Sequence, residues 1–205
     1  MTSPQVVCVL GMHRAGTSVL ARALAAIGVE LGDNLLGPLE DNPKGFFEDR
    51  DVFSLNEQLL SDIGHKWSSI GLIGVEDLAS HKHGDAFDRA VHILKNNNSR
   101  YPLWGFKDPR TARLLPFWQQ VFEKLGLQVA YVISFRDPIS VARSLKSRNN
   151  FPHSRSHTMW LQHYAASLRY TEGKPRLVVD YDLLISDPET QIRRMAGHCT
   201  DSCGN

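Results

Sequence analysis

Cysteine is scarce in this chain: three residues in 205, Cys8, Cys199 and Cys203. So few thiols give no disulfide framework and point to a reducing, cytoplasmic setting. Long apolar runs are missing as well. None approaches the ~20 residues needed to cross a bilayer, so no membrane partner is expected. No basic segment precedes the short apolar run at the N-terminus, so no signal peptide is read there. Charge of one sign is also lacking, since 23 Lys and Arg against 22 Asp and Glu leave a net charge of +1. That balance argues against bulk electrostatic binding of nucleic acid or membrane, while leaving room for a local basic pocket. There are no repeats and no low-complexity tracts. What remains is 42% hydrophobic and 22% charged, the composition of an ordinary globular protein with a core sufficient for one domain.

The most informative stretch lies at the start. Residues 5–10, QVVCVL, form a Val-rich run that predicts a strand buried on both faces. Gly11-Met12-His13-Arg14-Ala15-Gly16-Thr17-Ser18 follows, and then apolar residues at 19, 20, 23, 24 and 27 repeat at helical spacing up to Gly28. In a strand, glycine loop and helix in this order, backbone N–H groups and a helix N-terminus can hold phosphate oxygens. The nucleoside-triphosphate loop G-x-x-x-x-G-K-[ST] keeps this glycine spacing, but Thr17 stands where its Lys would be, and the basic residue has moved forward to Arg14. The bland alternative is a glycine turn without a ligand. An arginine and two hydroxyls converging on one helix start favour the ligand.

Further along, spacing predicts helices over 52–60, 84–96, 112–124, 138–146, 157–170 and 188–196, and strands over 102–107, 127–135 and 176–181. Residues 29–44 read as a long, functional loop, 65–79 as irregular with Trp67 in a polar setting, and 149–156 as a polar loop. Asn96-Asn97-Asn98-Ser99 is expected to break the second helix. Strands alternating with helices imply a parallel sheet covered on both faces, with ligands at the carboxyl ends of the strands. Three such ends carry basic groups: His13 and Arg14; Lys107-Asp108-Pro109-Arg110; and Arg136-Asp137-Pro138. Either they build an anion site, or Asp108 and Asp137 merely pair with their arginines as salt-bridged helix caps.

The loop GMHRAGTS resembles the 5′-phosphosulfate loop of sulfotransferases, in particular a group of bacterial sulfotransferase-like proteins. The likeness extends to KDPR at 107–110, FRDPISVARS at 135–144 and YDLLISDP at 181–188. It implies a three-layer α/β/α fold with a central parallel sheet, of the P-loop NTPase-like kind, in a single domain over 1–205 that is shortened at the C-terminus. Arg14 replaces the commoner loop Lys, and the glycine- and lysine-rich C-terminal motif of the cytosolic enzymes is not found. The implied cofactor is 3′-phosphoadenosine 5′-phosphosulfate. Its 5′-phosphosulfate would lie on His13, Arg14, Ala15, Gly16, Thr17 and Ser18, and its 3′-phosphate on Arg136 and Ser144, with Arg148 as a further contact. The YDLLISDP segment is taken as structural.

Transfer to a hydroxyl needs a base, and the resemblance points to Glu48 in NPKGFFEDRD, with Phe46 and Phe47 excluding water. His13 and His65 are the alternative bases, and Glu48 can equally be an exposed carboxylate favouring the next helix. Arg14 and Lys107 would offset charge developing on the sulfuryl group and the leaving phosphate. No metal is required. His81-Lys82-His83 and His198-Cys199 with Cys203 are read as a solvated loop and a frayed tail. The expected reaction moves a sulfuryl group to a hydroxyl of a saccharide or small metabolite, releasing adenosine 3′,5′-bisphosphate. Phe46, Phe47 and Trp67 hint at an apolar or sugar-stacking acceptor pocket. The rivals are a P-loop kinase using ATP and magnesium, against which Thr17 speaks, and a non-catalytic nucleotide-binding module.

Overall fold

The computed structural model describes residues 5–37, 45–79 and 84–201. In chain order its elements are β1 (Gln5–Gly11), α1 (Thr17–Ala26), α2 (Arg50–Asp62), α3 (Val75–Ala79), α4 (Asp85–Arg100), β2 (Leu103–Lys107), α5 (Thr111–Leu125), β3 (Gln128–Phe135), α6 (Pro138–Asn149), α7 (His153–Tyr170), β4 (Arg176–Asp180), α8 (Tyr181–Ser186) and α9 (Pro188–Asp201). The four strands are parallel in the order β2-β1-β3-β4, so the chain steps to one side of β1 and then crosses to the other. This reversal places a crevice at the carboxyl ends of the inner strands.

β1 sits inside the sheet because both of its faces are apolar. Val6, Cys8 and Leu10 enter one core with Leu55 and Leu59 of α2, Leu94 of α4, Phe117 and Trp118 of α5, and Tyr164 of α7. Val7 and Val9 enter a second core with Leu20 and Leu24 of α1 and with Met195 and Cys199 of α9. Helices therefore cover both faces, as the alternating sequence pattern requires.

Several boundaries differ from the sequence expectation. The asparagine run does not break α4, which continues to Arg100. Asn97 is buried, its Nδ2 donates to the Ile93 carbonyl at 3.0 Å, and the helix stops only where Pro102 follows Tyr101. α7 starts at His153, its first turn closed by the Ser156 N–H donating to the Pro152 carbonyl at 3.2 Å. α9 runs on to Asp201 because Met195 and Cys199 are buried against the second core; Cys199 is thus part of a packed helix, not a frayed tail. Residues 65–79, expected to be irregular, contain the short α3. His81, His83 and Cys203 lie outside the described residues. Among the described residues, no His, Cys, Asp and Glu side chains cluster as metal ligands, and no helix is long and apolar enough to cross a membrane.

Candidate active site

The glycine loop is shaped by three positive φ values: 146° at Gly11, 67° at Arg14 and 86° at Gly16. At Gly16 the requirement is also steric, since a Cβ there would stand 2.1 Å from the Tyr181 ring. The loop is tied down from β3 and α7. Ser134 Oγ donates to the Ala15 carbonyl at 2.8 Å, and Tyr164 Oη donates to the Ser134 carbonyl at 2.7 Å. α1 then begins at Thr17 with no side-chain cap and no acidic residue in its first turn, leaving its positive end open to an anion.

Residues following all four strand ends border one cavity of about 700 Å³, including His13, Arg14, Lys107, Arg110, Arg136 and Tyr181. Thr17, Ser18 and Glu48 line it as well. Arg14 and Arg136 thus share one space. Arg14 Nε donates to Ser144 Oγ at 2.8 Å, and Arg136 Nη1 donates to the Arg14 carbonyl at 3.0 Å. The Arg136 guanidinium lies 4.3 Å over the Tyr181 ring, and its backbone carbonyl accepts from Trp160 Nε1 at 2.9 Å. Its Nε is enclosed without a hydrogen-bond partner among the described residues. Ser144, expected beside Arg136 on the nucleotide, is held by Arg14 and is not among the residues that border the cavity. Asp137 does not pair with Arg136; it caps α6 by accepting from the Ser140 N–H at 2.7 Å.

Glu48 is 5% exposed, which removes the reading of it as a solvated helix-favouring carboxylate. That duty falls to Asp49, whose Oδ1 accepts from the N–H groups of Asp51 and Val52 at 2.9 and 3.0 Å. Glu48 Oε1 accepts from Lys107 Nζ at 2.7 Å, and Arg110 Nη1 stands 3.7 Å from Oε2. Burial pushes the Glu48 carboxyl above its ordinary range; the Asp108 charge adds to this, while Lys107 and Arg110 pull the other way. Phe46 lines the cavity, whereas Phe47, at a φ of 55°, packs against the second core.

Behind Glu48 lies a polar network. Asp108, fully buried, accepts from Arg110 Nη1 at 2.8 Å and from Asn56 Nδ2 at 3.1 Å. Asn56 Oδ1 in turn accepts from Trp118 Nε1 at 2.8 Å. Arg110 also pairs with Glu57 and lies 4.5 Å over the Phe53 ring. The KDPR segment is thus both a salt-bridged helix start and part of the cavity wall.

His13 borders the cavity with Trp67 against it, the ring centroids 4.6 Å apart. Burial, followed by the charges of Arg110, His163, Lys107 and Arg148, holds its pKa well below the usual imidazole value. His65 is not among the cavity-lining residues. His198 donates through Nε2 to the Tyr131 carbonyl at 3.1 Å, a structural contact. Residues that sequence reasoning missed here are Tyr181, Phe53, Arg50 and Asn149. Tyr181 follows the fourth strand, so the strand-end rule that singled out the other three could have found it.

No protein-family model and no curated protein matches the sequence. Solved structures do match. The sulfotransferase domain from the Synechococcus PCC 7002 olefin synthase has a TM-score of 0.59 at 18% identity, over 98% of this chain and 74% of that one. The sulfotransferase domain from the curacin biosynthetic pathway gives 0.52 at 17% identity, over 98% and 75%. Together with the all-parallel sheet and the strand-end cavity, these likenesses establish the architecture: the chain has the sulfotransferase fold.

Proposed function

We propose that the protein is a sulfotransferase that takes a sulfuryl group from 3′-phosphoadenosine 5′-phosphosulfate and passes it to a hydroxyl of a saccharide or small metabolite. The observation that carries this reading is the convergence of Arg14 and Arg136 on one cavity above the open start of α1. The loop there keeps the phosphate-cradling glycines but has Thr17 in place of a nucleotide-kinase lysine. The residues fit a nucleotide with an anionic group at each end. Arg136 Nε is an enclosed donor with no partner among the described residues, and the first turn of α1 offers its N–H groups next to Arg14. On this reading Arg14, Gly16, Thr17 and Ser18 hold the 5′ end, and Arg136 holds the 3′-phosphate. Ser144 acts on the nucleotide site by fixing Arg14 at 2.8 Å.

Bound donor supplies an activated sulfuryl group. Glu48 takes the proton of the attacking hydroxyl as the new O–S bond forms and the bond to the leaving phosphate breaks. Its burial strengthens it as a base. Lys107 has a use on either side of the step, balancing Glu48 at rest and the leaving phosphate during transfer. Phe46 and Phe53 narrow the way for water.

Titration calorimetry separates this reading from a kinase. Adenosine 3′,5′-bisphosphate is expected to bind without metal, and Arg14→Ala or Arg136→Ala to weaken it about tenfold or more, in line with ~1.5–3 kcal/mol for a charged hydrogen bond. Preference for ATP with magnesium would remove the assignment. Bisphosphate binding with no transfer to any of a panel of hydroxyl acceptors from labelled donor would favour a binding module.

A further inference from the structure

His13 stands where the cavity meets the core. Its ring borders the cavity, yet its Nε2 is enclosed and has no hydrogen-bond partner among the described residues. His163, on α7 and 1% exposed, has the same deficit at its own Nε2. The two rings meet edge to face, their centroids 6.1 Å apart and their planes at 82°. The tautomer of His163 follows from its other nitrogen. Nδ1 lies 2.7 Å from the Met159 carbonyl oxygen, which can only accept, so Nδ1 carries the proton and Nε2 is a bare lone pair. A buried lone pair left without a donor costs about 1–3 kcal/mol. The imidazole that meets it is His13; the two nitrogens are not hydrogen-bonded as they stand, and a rotation of the His13 ring brings an N–H into line with that lone pair.

We propose that His163 sets the tautomer of His13, keeping its proton on the enclosed Nε2, so that a bare Nδ1 faces the cavity and accepts a hydrogen bond from a hydroxyl of the sulfuryl acceptor. This rests on the sulfotransferase reading above. It moves His13 from the nucleotide's contacts to the acceptor's, because a lone pair repels phosphate and sulfuryl oxygens but welcomes an O–H. Burial first, and then the cations Arg110, Lys107 and Arg148, the first two of which flank Glu48, disfavour a charged His13 ring. Trp67, tilted against His13 at 4.6 Å, adds an aromatic wall at the same spot. An acceptor that gives one hydroxyl to Glu48 and a neighbouring one to His13, beside the Trp67 ring that borders the cavity between His13 and Phe151, is a polyhydroxylated compound of the saccharide kind. His163 touches neither substrate and is a positioning residue.

Histidine-selective ¹⁵N NMR on the intact protein tests this without knowledge of the acceptor. The wild-type His13 is expected to show a protonated Nε2 and a bare Nδ1, unchanged when adenosine 3′,5′-bisphosphate is added. His163→Phe is expected to turn that single tautomer into a mixture, and His13→Ala to bind the bisphosphate within threefold of wild type. A proton on Nδ1 in the wild type, its appearance on nucleotide binding, or a larger loss of affinity in His13→Ala would overturn the inference. The wild-type spectrum decides even if His163→Phe fails to fold. Failure of the bisphosphate to bind wild type would instead sink the sulfotransferase reading, and the tautomer spectrum would still judge the His163–His13 relation.

Discussion

Glu48 owes its basicity to where the chain buries it. Desolvation raises its carboxyl above the usual range, and Lys107 at 2.7 Å pulls it the other way. Glu48→Gln keeps the size and an acceptor for Lys107 but no longer takes a proton. Turnover is expected to fall by ~10²–10⁴ with bisphosphate affinity unchanged, by calorimetry beside a transfer assay. Unaltered turnover would reassign the base. Gly16 is constrained in a different way, by a φ of 86° and by the Tyr181 ring 2.1 Å from where a Cβ would sit. Gly16→Ala should lower stability by about 1–3 kcal/mol in urea unfolding and weaken the bisphosphate at least tenfold. Adding Tyr181→Ala relieves the clash but leaves the backbone strain, so only part of the stability should return.

At the scale of elements, α2, β2 and α5 are locked together behind the cavity through Asn56, Asp108 and Trp118. Asn56→Ala leaves the Trp118 N–H and an Asp108 oxygen short of a buried partner, at a cost of about 1–3 kcal/mol for each such group. A drop of that order in urea unfolding, with weaker donor or acceptor binding as Arg110 loosens, is the expected result; a melt equal to wild type would show the network to be idle. This is also where the sequence was least readable. The glycine loop and its flanking strand and helix were legible because their signals are local: glycine spacing, hydroxyls at a helix start and an apolar run. Asn56 and Trp118 look like any polar and aromatic residues on helices until the fold brings them together. The asparagine run at 96–98 misled for the same reason, since Asn97 is kept helical by tertiary burial that propensity does not see. The spacing of Ser144 from Arg136 suggested a shared 3′-phosphate contact, while its hydrogen bond to Arg14 left no local signal in the sequence.

For the whole molecule, two histidines, His163 buried and His13 half-buried, tie stability to acidity. The His163 pKa is pushed down to about 4 from 6.5, and that of His13 lies well below 6.5, both mainly through burial. Because the folded values are depressed, the unfolded chain takes up protons that the native one refuses. Their stabilising contribution is therefore complete above pH 6.5 and lost as the pH falls toward 4, with a slope of up to ~1.4 kcal/mol per pH unit for each histidine. Glu48 and Asp49, raised by burial, act in the opposite sense. The contribution of His163 is thus read as the difference between wild type and His163→Gln in urea unfolding at pH 7 and pH 4.5. Wild type should lose more stability than the variant, and parallel losses would exclude His163 as the cause.

The ring of Tyr181 closes off Gly16 and carries the Arg136 guanidinium at 4.3 Å, so the loop after β1 is finished by the segment after β4. At synthesis rates of about 5–20 residues per second, the glycine turn leaves the ribosome on the order of ten seconds or more before the aromatic that walls it. A nascent chain therefore carries the glycine turn long before the aromatic that walls it, and any fragment ending ahead of Tyr181 retains the motif without that wall.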